Sequence, residues 1–199
     1  MDSPPDLFSL TPLELRDFFL EFGEAPFRGE QLFRWLHKEG ACSYEQMTDI
    51  SKGLRERLAD EVPLSLPLVM HNAVKSRDGS VKMVLATKRG NPVESVLIPG
   101  TGVDRRNYTL CVSTQSGCAV GCAFCETATM GYLQNLTAGQ IAWQVTLALD
   151  WLAEHRRETL GTLPREQWIT NIVYMGMGEP FLNLENVIRY IYLMTNHKE

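Results

Sequence analysis

The first sixty residues place apolar and polar positions at the spacing of α-helices. Thr11, Pro12 and Glu14 form the pattern of a capping box with proline at the first helical position, and the helix that they open can end at Gly23. A second helix is predicted over residues 28–38, where four apolar side chains share one face. This part of the chain therefore begins as a helical module.

Two shorter helices are predicted to follow, because Ser43 and Ser51 each stand where a helix N-cap is expected. Pro63 and Pro67 then interrupt the chain, and the helical spacing gives way to the alternation that is typical of strands. The pattern predicts a helical accessory module over residues 1–62.

Three β-favouring runs follow this module. Asp78-Gly79 precedes one of them and is typical of a hairpin turn, residues 92–99 form a second run, and residues 108–115 form a third after a loop rich in glycine and charge. We interpret residues 63–104 as a small β-sheet segment that bridges the helical module to the rest of the chain.

The remaining sequence alternates strands and helices. A capping box over residues 137–140 opens a long amphipathic helix, residues 168–175 have the pattern of a buried strand, and Asn183 stands where it can cap a final helix. The order strand, helix, strand, helix predicts a parallel α/β architecture, with residues 105–199 as its core.

The composition is that of a folded globular protein. The chain has 199 residues, 44% of them hydrophobic, and a formal net charge of −5, which excludes a disordered chain and argues against a protein that is basic throughout. Its sequence contains no run of roughly 18–20 apolar residues that could span a membrane, and the N-terminus lacks the pattern of a signal peptide. We therefore expect a cytoplasmic protein without membrane contact.

Positive charge is concentrated in one segment. Residues 75–106 carry seven basic side chains against three acidic ones, which gives this segment a local charge of +4. A solvated face is the simpler interpretation of such a run. A surface that contacts phosphate is the functional one.

Three cysteines, Cys118, Cys122 and Cys125, lie in GCAVGCAFC directly after a predicted strand. Neighbours this close cannot staple distant parts of a fold, so they indicate a metal site rather than a disulfide framework. Three thiolates can hold a [4Fe–4S] cluster and leave one iron open to a substrate, as is typical of radical SAM enzymes. The alternative is a structural zinc site with Cys111 as fourth ligand, although zinc sites more often use paired C-x2-C knuckles.

A glycine-rich loop follows the next predicted strand, at the position where parallel α/β folds place ligand-binding loops. Gly176 and Gly178 permit close approach of a backbone. Glu179 can accept a hydrogen bond from the ammonium group of the methionine portion of S-adenosylmethionine. The loop is thus a second candidate binding element.

Several sequences resemble one known family. CVSTQSGCAVGCAFC, MGYLQNLTAGQI and VYMGMGEPFLNLENV are similar to motifs of the RlmN/Cfr family of radical SAM RNA (adenine) methyltransferases, and FRGEQLFRWL, EQMTDIS and DGSVKMVL resemble its accessory domain. The resemblance covers nearly the whole chain. It implies an α/β fold in which the helical module and small sheet precede the first two βα units of a partial (βα)6 radical SAM barrel.

The resemblance also implies roles for individual residues beyond the three cluster ligands. Cys111 matches the resolving cysteine, which forms a transient disulfide, and Glu94 matches the carboxylate that serves as proton acceptor. Gly178 and Glu179 match the contacts to S-adenosylmethionine. The implied cofactors are one [4Fe–4S] cluster with an open iron and S-adenosylmethionine.

The implied substrate is adenosine in 23S rRNA and tRNA, methylated at C2 as in the dual-specificity RlmN branch. Methylation at C8, as in the Cfr branch, is the alternative. The family further implies a monomeric enzyme and an electron donor such as flavodoxin or ferredoxin. The positively charged segment, together with Arg28, Arg34 and Lys38 of the second helix, would contact RNA phosphate.

The sequence departs from the family at two places. Glu126 and Met130 differ from the family pattern after the third cysteine, and the chain ends at Glu199, before the segment that carries the methyl-bearing cysteine. We therefore expect a truncated form that is inactive alone. A protein-modifying radical SAM enzyme and a zinc-binding module without enzymatic activity are the alternative functions.

Overall fold

A computed structural model of the protein describes residues 5–100, 107–156, 160–161 and 163–195. Its N-terminal part is helical, with α1 (Pro12–Glu21), α2 (Phe27–His37) and α3 (Lys52–Glu61). The capping box predicted for α1 is confirmed, because the Glu14 amide donates to Thr11 Oγ1 and the Thr11 amide donates to Glu14 Oε2 at 2.8 Å. The helical character of this module follows from local sequence.

The two predicted serine caps differ in outcome. Ser43 and Gln46 form a reciprocal capping box, but what they open is a short 3-10 turn (Tyr44–Gln46) rather than an α-helix. Ser51 directly precedes α3 as predicted, yet within the described part of the chain its side chain makes no capping hydrogen bond. Helix α3 is held mainly by burial of Leu54 and Leu58.

One mixed sheet of five strands occupies the middle of the molecule. In spatial order its strands are β1 (Val69–Lys75), β2 (Val81–Ala86), β3 (Pro92–Pro99), β4 (Tyr108–Cys111) and β7 (Ile169–Val173). Strands β1 to β4 pair antiparallel, and β7 pairs parallel with β4. The predicted bridging strands belong to the same sheet as β4, because β3 is hydrogen-bonded directly to β4.

The hairpin predicted at Asp78-Gly79 is confirmed. It joins β1 to β2, and Asp78 Oδ1 accepts a hydrogen bond of 3.0 Å from the Ser80 amide inside the turn. Another hairpin, which was not predicted, consists of β5 (Gln115–Gly117) and β6 (Tyr132–Asn135), which pair antiparallel apart from the main sheet. The connection between these two strands contains the cysteines.

The predicted alternation of strands and helices is also confirmed. Helix α5 (Ala138–His155) connects the parallel strands β4 and β7, and α6 (Leu184–Thr195) follows β7; a four-residue helix, α4 (Glu126–Thr129), lies inside the β5–β6 connection. Strand β7 is only partly buried, contrary to the prediction of a buried strand. It is the last strand of the sheet, which explains its exposure.

The two faces of the main sheet differ in burial. Side chains of one face are buried in a core shared with the helices, among them Met83, Leu85 and Leu97. The opposite face of β2 and β3 carries Lys82 and Glu94, which are partly exposed. The core runs without interruption from the N-terminal turn to α6, so packing is continuous across the predicted boundaries after residues 62 and 104, which stay predictions.

Two sequence features lie outside the described residues. They are residues 101–106, which include three charged members of the positively charged segment, and the last four residues of the chain. Within the described ranges, no helix combines the length and apolar character needed to cross a membrane.

Candidate active site

The cysteine loop (residues 118–131) is the connection of the β5–β6 hairpin. The Cys118 amide donates to the Gly131 carbonyl oxygen at 2.9 Å, which closes the loop at its base. The Cys125 amide donates to the Cys122 carbonyl oxygen at 3.1 Å and forms a turn farther along. Cys118 and Cys125 are half-buried and Cys122 is exposed, so none of the three residues is fully buried.

Gly117, immediately before this loop, has φ +72°, and a Cβ atom there would lie 1.9 Å from the Gly131 carbonyl oxygen. Only glycine fits at this point. Phe124, which the sequence places among the cysteines, is 93% exposed and shields nothing in this arrangement. The hairpin therefore fixes the base of the loop, while its tip faces solvent.

The thiols have the donor chemistry of a metal cluster but are not gathered around a common point. Among the described residues, no group of three or more histidine, cysteine, aspartate or glutamate side chains is close enough to hold a metal ion. All five cysteines lie in the described part of the chain and are free thiols. Three free cysteines within eight residues, none of them fully buried, fit a three-thiolate cluster in number and type, and binding requires them to converge.

The loop that follows β7 (residues 176–180) packs tightly against the β4–β5 connection (residues 112–114). The Thr114 and Gln115 amides donate to the Met177 carbonyl oxygen at 2.9 and 3.2 Å, and the Met177 amide donates to Ser113 Oγ at 2.8 Å. The Gly176 amide donates to the Val112 carbonyl oxygen at 3.2 Å. The second candidate binding loop is thus joined to the segment that leads into the cysteines.

Both glycines of this loop are required by that packing. A Cβ atom on Gly176 would lie 2.7 Å from Ser113 Oγ, and one on Gly178, whose φ is +93°, would lie 2.5 Å from Gln115 Cβ. The close approach predicted for these glycines is therefore present, and what approaches is this chain's own β4–β5 region. A role of Gly178 in binding S-adenosylmethionine stays a prediction.

Glu179 is half-buried at the end of the same loop. Its amide donates to Gln115 Oε1 at 2.9 Å, and its carboxylate Oε1 accepts from the Phe181 amide at 3.1 Å, which caps the 3-10 turn Pro180–Asn183. The carboxylate is therefore held in place by its own main chain. A carboxylate has further lone pairs to accept a hydrogen bond from an ammonium group.

Cys111 and Glu94 lie on the same face of the sheet. Cys111 of β4 pairs with Val96 of β3, and Glu94 is two residues from Val96, so its side chain points to the same side. Cys111 is 8% exposed. Burial raises the pKa of the Cys111 thiol above its ordinary value, and a hydrogen bond from the backbone of Met175 opposes this only in part.

Glu94 is not isolated on this face. Its carboxylate oxygen Oε1 lies 2.7 Å from Nζ of Lys82 on the neighbouring strand, and the two side chains are 41% and 49% exposed. A proton transfer to Glu94 would take place beside this ammonium group.

Comparisons with known proteins agree with the geometry. Residues 5–63 match the family described as ribosomal RNA large subunit methyltransferase N-terminal domain. The chain is 44% identical over 191 residues to the dual-specificity RNA methyltransferase RlmN of Alkalilimnicola ehrlichii and 46% identical over 186 residues to that of Anaeromyxobacter dehalogenans. These alignments cover 96% and 94% of this chain but only 49% and 47% of the relatives.

A crystal structure of a radical SAM methyltransferase from Sphaerobacter thermophilus superposes with a TM-score of 0.81 at 38% sequence identity, covering 98% of this chain and 53% of that one. The chain belongs to the RlmN family of radical SAM RNA methyltransferases. It spans about half the length of the curated RlmN relatives that it matches. The fold observed here corresponds to the same share of the solved methyltransferase.

Of the three basic side chains predicted to contact phosphate, Arg28 and Arg34 lie in α2 and Lys38 directly follows it. Arg34 is paired with Asp49, and Trp35 Nε1 donates to the same carboxylate at 2.5 Å. Partial burial acts to raise the pKa of the Asp49 carboxyl, but the hydrogen bonds from Trp35 and Arg34 outweigh it and hold this pKa below its ordinary value. Arg34 is thus part of an intramolecular pair, whereas Lys38 stays a candidate for phosphate.

Sequence reasoning missed three buried polar residues that organise this site. Gln144 is completely buried within α5, Ser113 is completely buried after β4, and Asn183 is 4% exposed. Asn183 Nδ2 donates to the carbonyl oxygens of Thr114 and Leu136 at 2.7 and 2.8 Å. Asn183 directly precedes α6, at the position predicted for its cap, and also anchors the end of the loop after β7 to the hairpin.

Proposed function

We propose that this chain carries the accessory module and the first part of the catalytic core of a radical SAM enzyme that methylates C2 of adenosine in 23S rRNA and tRNA. The proposal is supported by one structural relation in a member of the RlmN family: the cysteine loop and the loop after β7 meet on the β4–β5 region. Met177 of the loop after β7 donates to Ser113 Oγ and accepts from the Thr114 and Gln115 amides, and β5 then leads into the cysteine loop. The chain spans half of its relatives, so activity belongs to the longer enzyme.

Cys118, Cys122 and Cys125 would hold the [4Fe–4S] cluster, and Gly178 and Glu179 would bind S-adenosylmethionine. When bound, these groups supply the radical chemistry of the reaction. The hydrogen bonds on Glu179 from its own loop orient its carboxylate for the ammonium group of the cofactor. Residues 176–180 pack tightly on the β4–β5 region, and this packing would shield one side of that site from water.

Cys111 and Glu94 would complete the reaction on the same sheet face. In the RlmN/Cfr mechanism, the resolving thiolate attacks the sulfur of the cysteine that carried the methyl group and forms a disulfide with it. The bond from that sulfur to the adduct carbon breaks with its electron pair going to the nucleobase product, and a base takes the ring proton. Cys111 supplies the thiol and Glu94 the base in this proposal. Burial keeps the Cys111 thiol protonated at neutral pH through its raised pKa, so attack requires loss of that proton.

The RNA would contact the two hairpin turns at the ends of β2. Their basic side chains are exposed and belong to Lys75 and Arg77 on one turn and Lys88 and Arg89 on the other. Each phosphate contact adds to the dependence of affinity on salt. Replacing Lys88 and Arg89 with alanine should weaken RNA binding and flatten the slope of log K against log salt concentration by about two. An unchanged slope would remove this turn from the interface.

Anaerobic reconstitution of the 199-residue chain tests the cluster. We expect about four irons and four sulfides per chain with the visible absorption of a [4Fe–4S] cluster. The Cys122→Ala variant should lose most of the iron, whereas Cys42→Ala, which changes an exposed thiol outside the loop, should retain it. One zinc per chain without iron–sulfur absorption would favour the zinc-binding module and reject the proposal.

Methylation is tested by a fusion of residues 1–195 to the second half of the Alkalilimnicola ehrlichii relative, expressed in a strain that lacks the modification. Mass spectrometry of RNA nucleosides should detect 2-methyladenosine. The same fusion with Cys111→Ala should accumulate a covalent RNA–protein adduct in place of released product. Detection of 8-methyladenosine would instead assign the chain to the Cfr branch. The electron donor, the monomeric state and the cytoplasmic location stay predictions.

A further inference from the structure

Gln144 is an unusual residue for its position. It lies in the middle of α5, where Ile141, Ala148 and Leu152 of the same helix are completely buried, and it is itself completely buried. A polar amide in such a place is costly unless its hydrogen-bonding groups are satisfied. An apolar side chain of the same size would fill the space without that cost, so the amide must serve another purpose.

The carboxamide of Gln144 is fully used. Its Oε1 accepts from the Ser113 amide at 2.9 Å and from Ser95 Oγ at 2.5 Å, and its Nε2 donates to the Ser113 carbonyl oxygen at 2.8 Å. It thus holds both main-chain polar groups of one residue, in the manner of a neighbouring β-strand. The Ser113 donor and acceptor also fix the orientation of the amide, because the reversed orientation would oppose two donors.

Ser113 needs such a partner because β4 ends two residues earlier. Beyond Cys111, the chain leaves the regular pairing of the main sheet while its residues remain buried. A buried main-chain group without a hydrogen bond costs about as much free energy as a lost hydrogen bond. Gln144 therefore replaces the missing strand at the point where the β4–β5 connection begins.

The position of Ser113 is passed on to both candidate loops. Its Oγ accepts from the Met177 amide at 2.8 Å and donates to the Glu94 carbonyl oxygen at 2.5 Å. Thr114 and Gln115, the next residues, bind the Met177 carbonyl oxygen, and β5 then leads directly into the cysteine loop. A single amide on the helix is in this way connected to the loop after β7 and to the base of the cysteine loop.

We propose that Gln144 is the positioning residue that holds the β4–β5 connection and the loop after β7 in a fixed relation, and thereby keeps the two cofactor-binding loops in register with each other. The inference rests on the proposed function, because that function makes these loops the binding sites of the cluster and of S-adenosylmethionine. Gln144 itself touches neither cysteine loop nor loop 176–180 and acts through Ser113.

Hydrogen exchange of the metal-free 199-residue chain tests this proposal without relying on activity. Gln144→Met keeps the length and burial of the side chain but cannot bond to Ser113. Amides in residues 112–117 and 174–181 should exchange at least about tenfold faster, while those of the β1–β2 hairpin stay unchanged. Uniform acceleration over the whole chain would indicate a purely structural role, and no local acceleration would show that Gln144 positions nothing; either result overturns the proposal.

Two further variants keep the test decisive if Gln144→Met does not fold. Ser113→Ala leaves both main-chain bonds to Gln144 but removes the acceptor for the Met177 amide and the donor to the Glu94 carbonyl oxygen. The only exchangeable amide that loses its partner is that of Met177, so exchange should accelerate in residues 174–181 and not in 112–117. Ser95→Ala removes the third bond to Gln144 and should leave both segments unchanged. Faster exchange in residues 174–181 of Ser95→Ala, or none in Ser113→Ala, would contradict the relay.

The hydrogen-exchange result can be distinguished from the result of the iron–sulfur reconstitution. Iron content and visible absorption of the reconstituted wild-type chain decide the proposed function, whereas the exchange pattern is recorded before any metal is added. If the pattern is local and the chain takes up iron, Gln144→Met should also weaken binding of S-adenosylmethionine at least about tenfold at unchanged iron content. Unchanged binding in that protein would overturn the inference while leaving the proposed function intact.

Discussion

The contact between Gly117 and Gly131 gives the sharpest prediction for the cysteine loop. In Gly117→Ala, the new Cβ atom would lie 1.9 Å from the Gly131 carbonyl oxygen and 3.3 Å from the Leu133 amide nitrogen. These atoms belong to the backbone and cannot rotate away as a flexible side chain would. The β5–β6 hairpin must therefore open at the base of the loop.

The magnitude follows from two contributions. An alanine at φ +72° costs about 1–2 kcal/mol relative to glycine, and forced displacement of packed atoms costs about 1–3 kcal/mol more. Together they predict a loss of about 2–5 kcal/mol in the free energy of unfolding, with a midpoint of about 3.5 kcal/mol. For a chain of this size, that loss corresponds to a decrease of about 10 °C in Tm.

Gly121→Ala is a matched control inside the same loop. Gly121 has φ +73°, nearly the angle of Gly117, but its Cβ atom would have no neighbour within 4 Å among the described residues. It should lower Tm by only about 3–5 °C, since it carries the backbone cost alone. Differential scanning fluorimetry of both variants decides the matter. Equal and small decreases would refute the reasoning, because the Gly131 contact would then contribute nothing.

Three other predictions concern single contacts. Arg189→Met removes an ion pair with Glu14 whose partners are 34% and 40% exposed, so urea unfolding at pH 7 should show a loss of only about 0.5 kcal/mol. Partial burial acts to raise the pKa of the Glu14 carboxyl, but the hydrogen bond from Arg189 holds this pKa below its ordinary value. The stabilisation by this ion pair is therefore complete above the ordinary pKa and should disappear as the pH falls through the lowered pKa. An equal loss of unfolding free energy at pH 3 and pH 7 would contradict this prediction. Cys111, buried and with a raised pKa, should react with iodoacetamide at least about tenfold more slowly at pH 8 than exposed Cys122, as peptide mass spectrometry can measure; equal rates would show that Cys111 is accessible. Tyr44→Phe deprives a buried backbone carbonyl at the end of α3 of its 2.8 Å donor and should cost about 1 kcal/mol in chemical denaturation, whereas an unchanged midpoint would mean that water replaces the hydroxyl.

Local signals in the sequence were sufficient for the elements and insufficient for their pairing. The Thr11 capping box and the Asp78-Gly79 turn act within four residues, so their geometry is readable from the chain. The pairing of β3 with β4 depends on contacts between distant segments, and no local pattern indicated that the bridging strands would join the core sheet. The β5–β6 hairpin was missed because its strands are only three and four residues long.

The same distinction applies to the candidate site. The cysteines and the glycine-rich loop could be found from residue type and spacing, and their family role came from resemblance. The residues that join them could not, because the partners of Gln144 are separated from it by 31 and 49 positions. The one available signal was a glutamine inside an otherwise apolar helical face. The role of this glutamine depends on its partners Ser95 and Ser113, which only the fold brings next to it.

The antiparallel pairing of β3 with β4 has a consequence for how this region can vary. Strand hydrogen bonds place Val96 opposite Cys111, so the number of residues between the strands does not set the distance from Glu94 to Cys111. Insertions in that connection should leave both side chains facing the same way. One residue inserted between Glu94 and Val96 would instead turn the carboxylate toward α5 and into the core. The connection between β3 and β4 can therefore vary in length, whereas a single insertion inside β3 separates the two candidate catalytic groups.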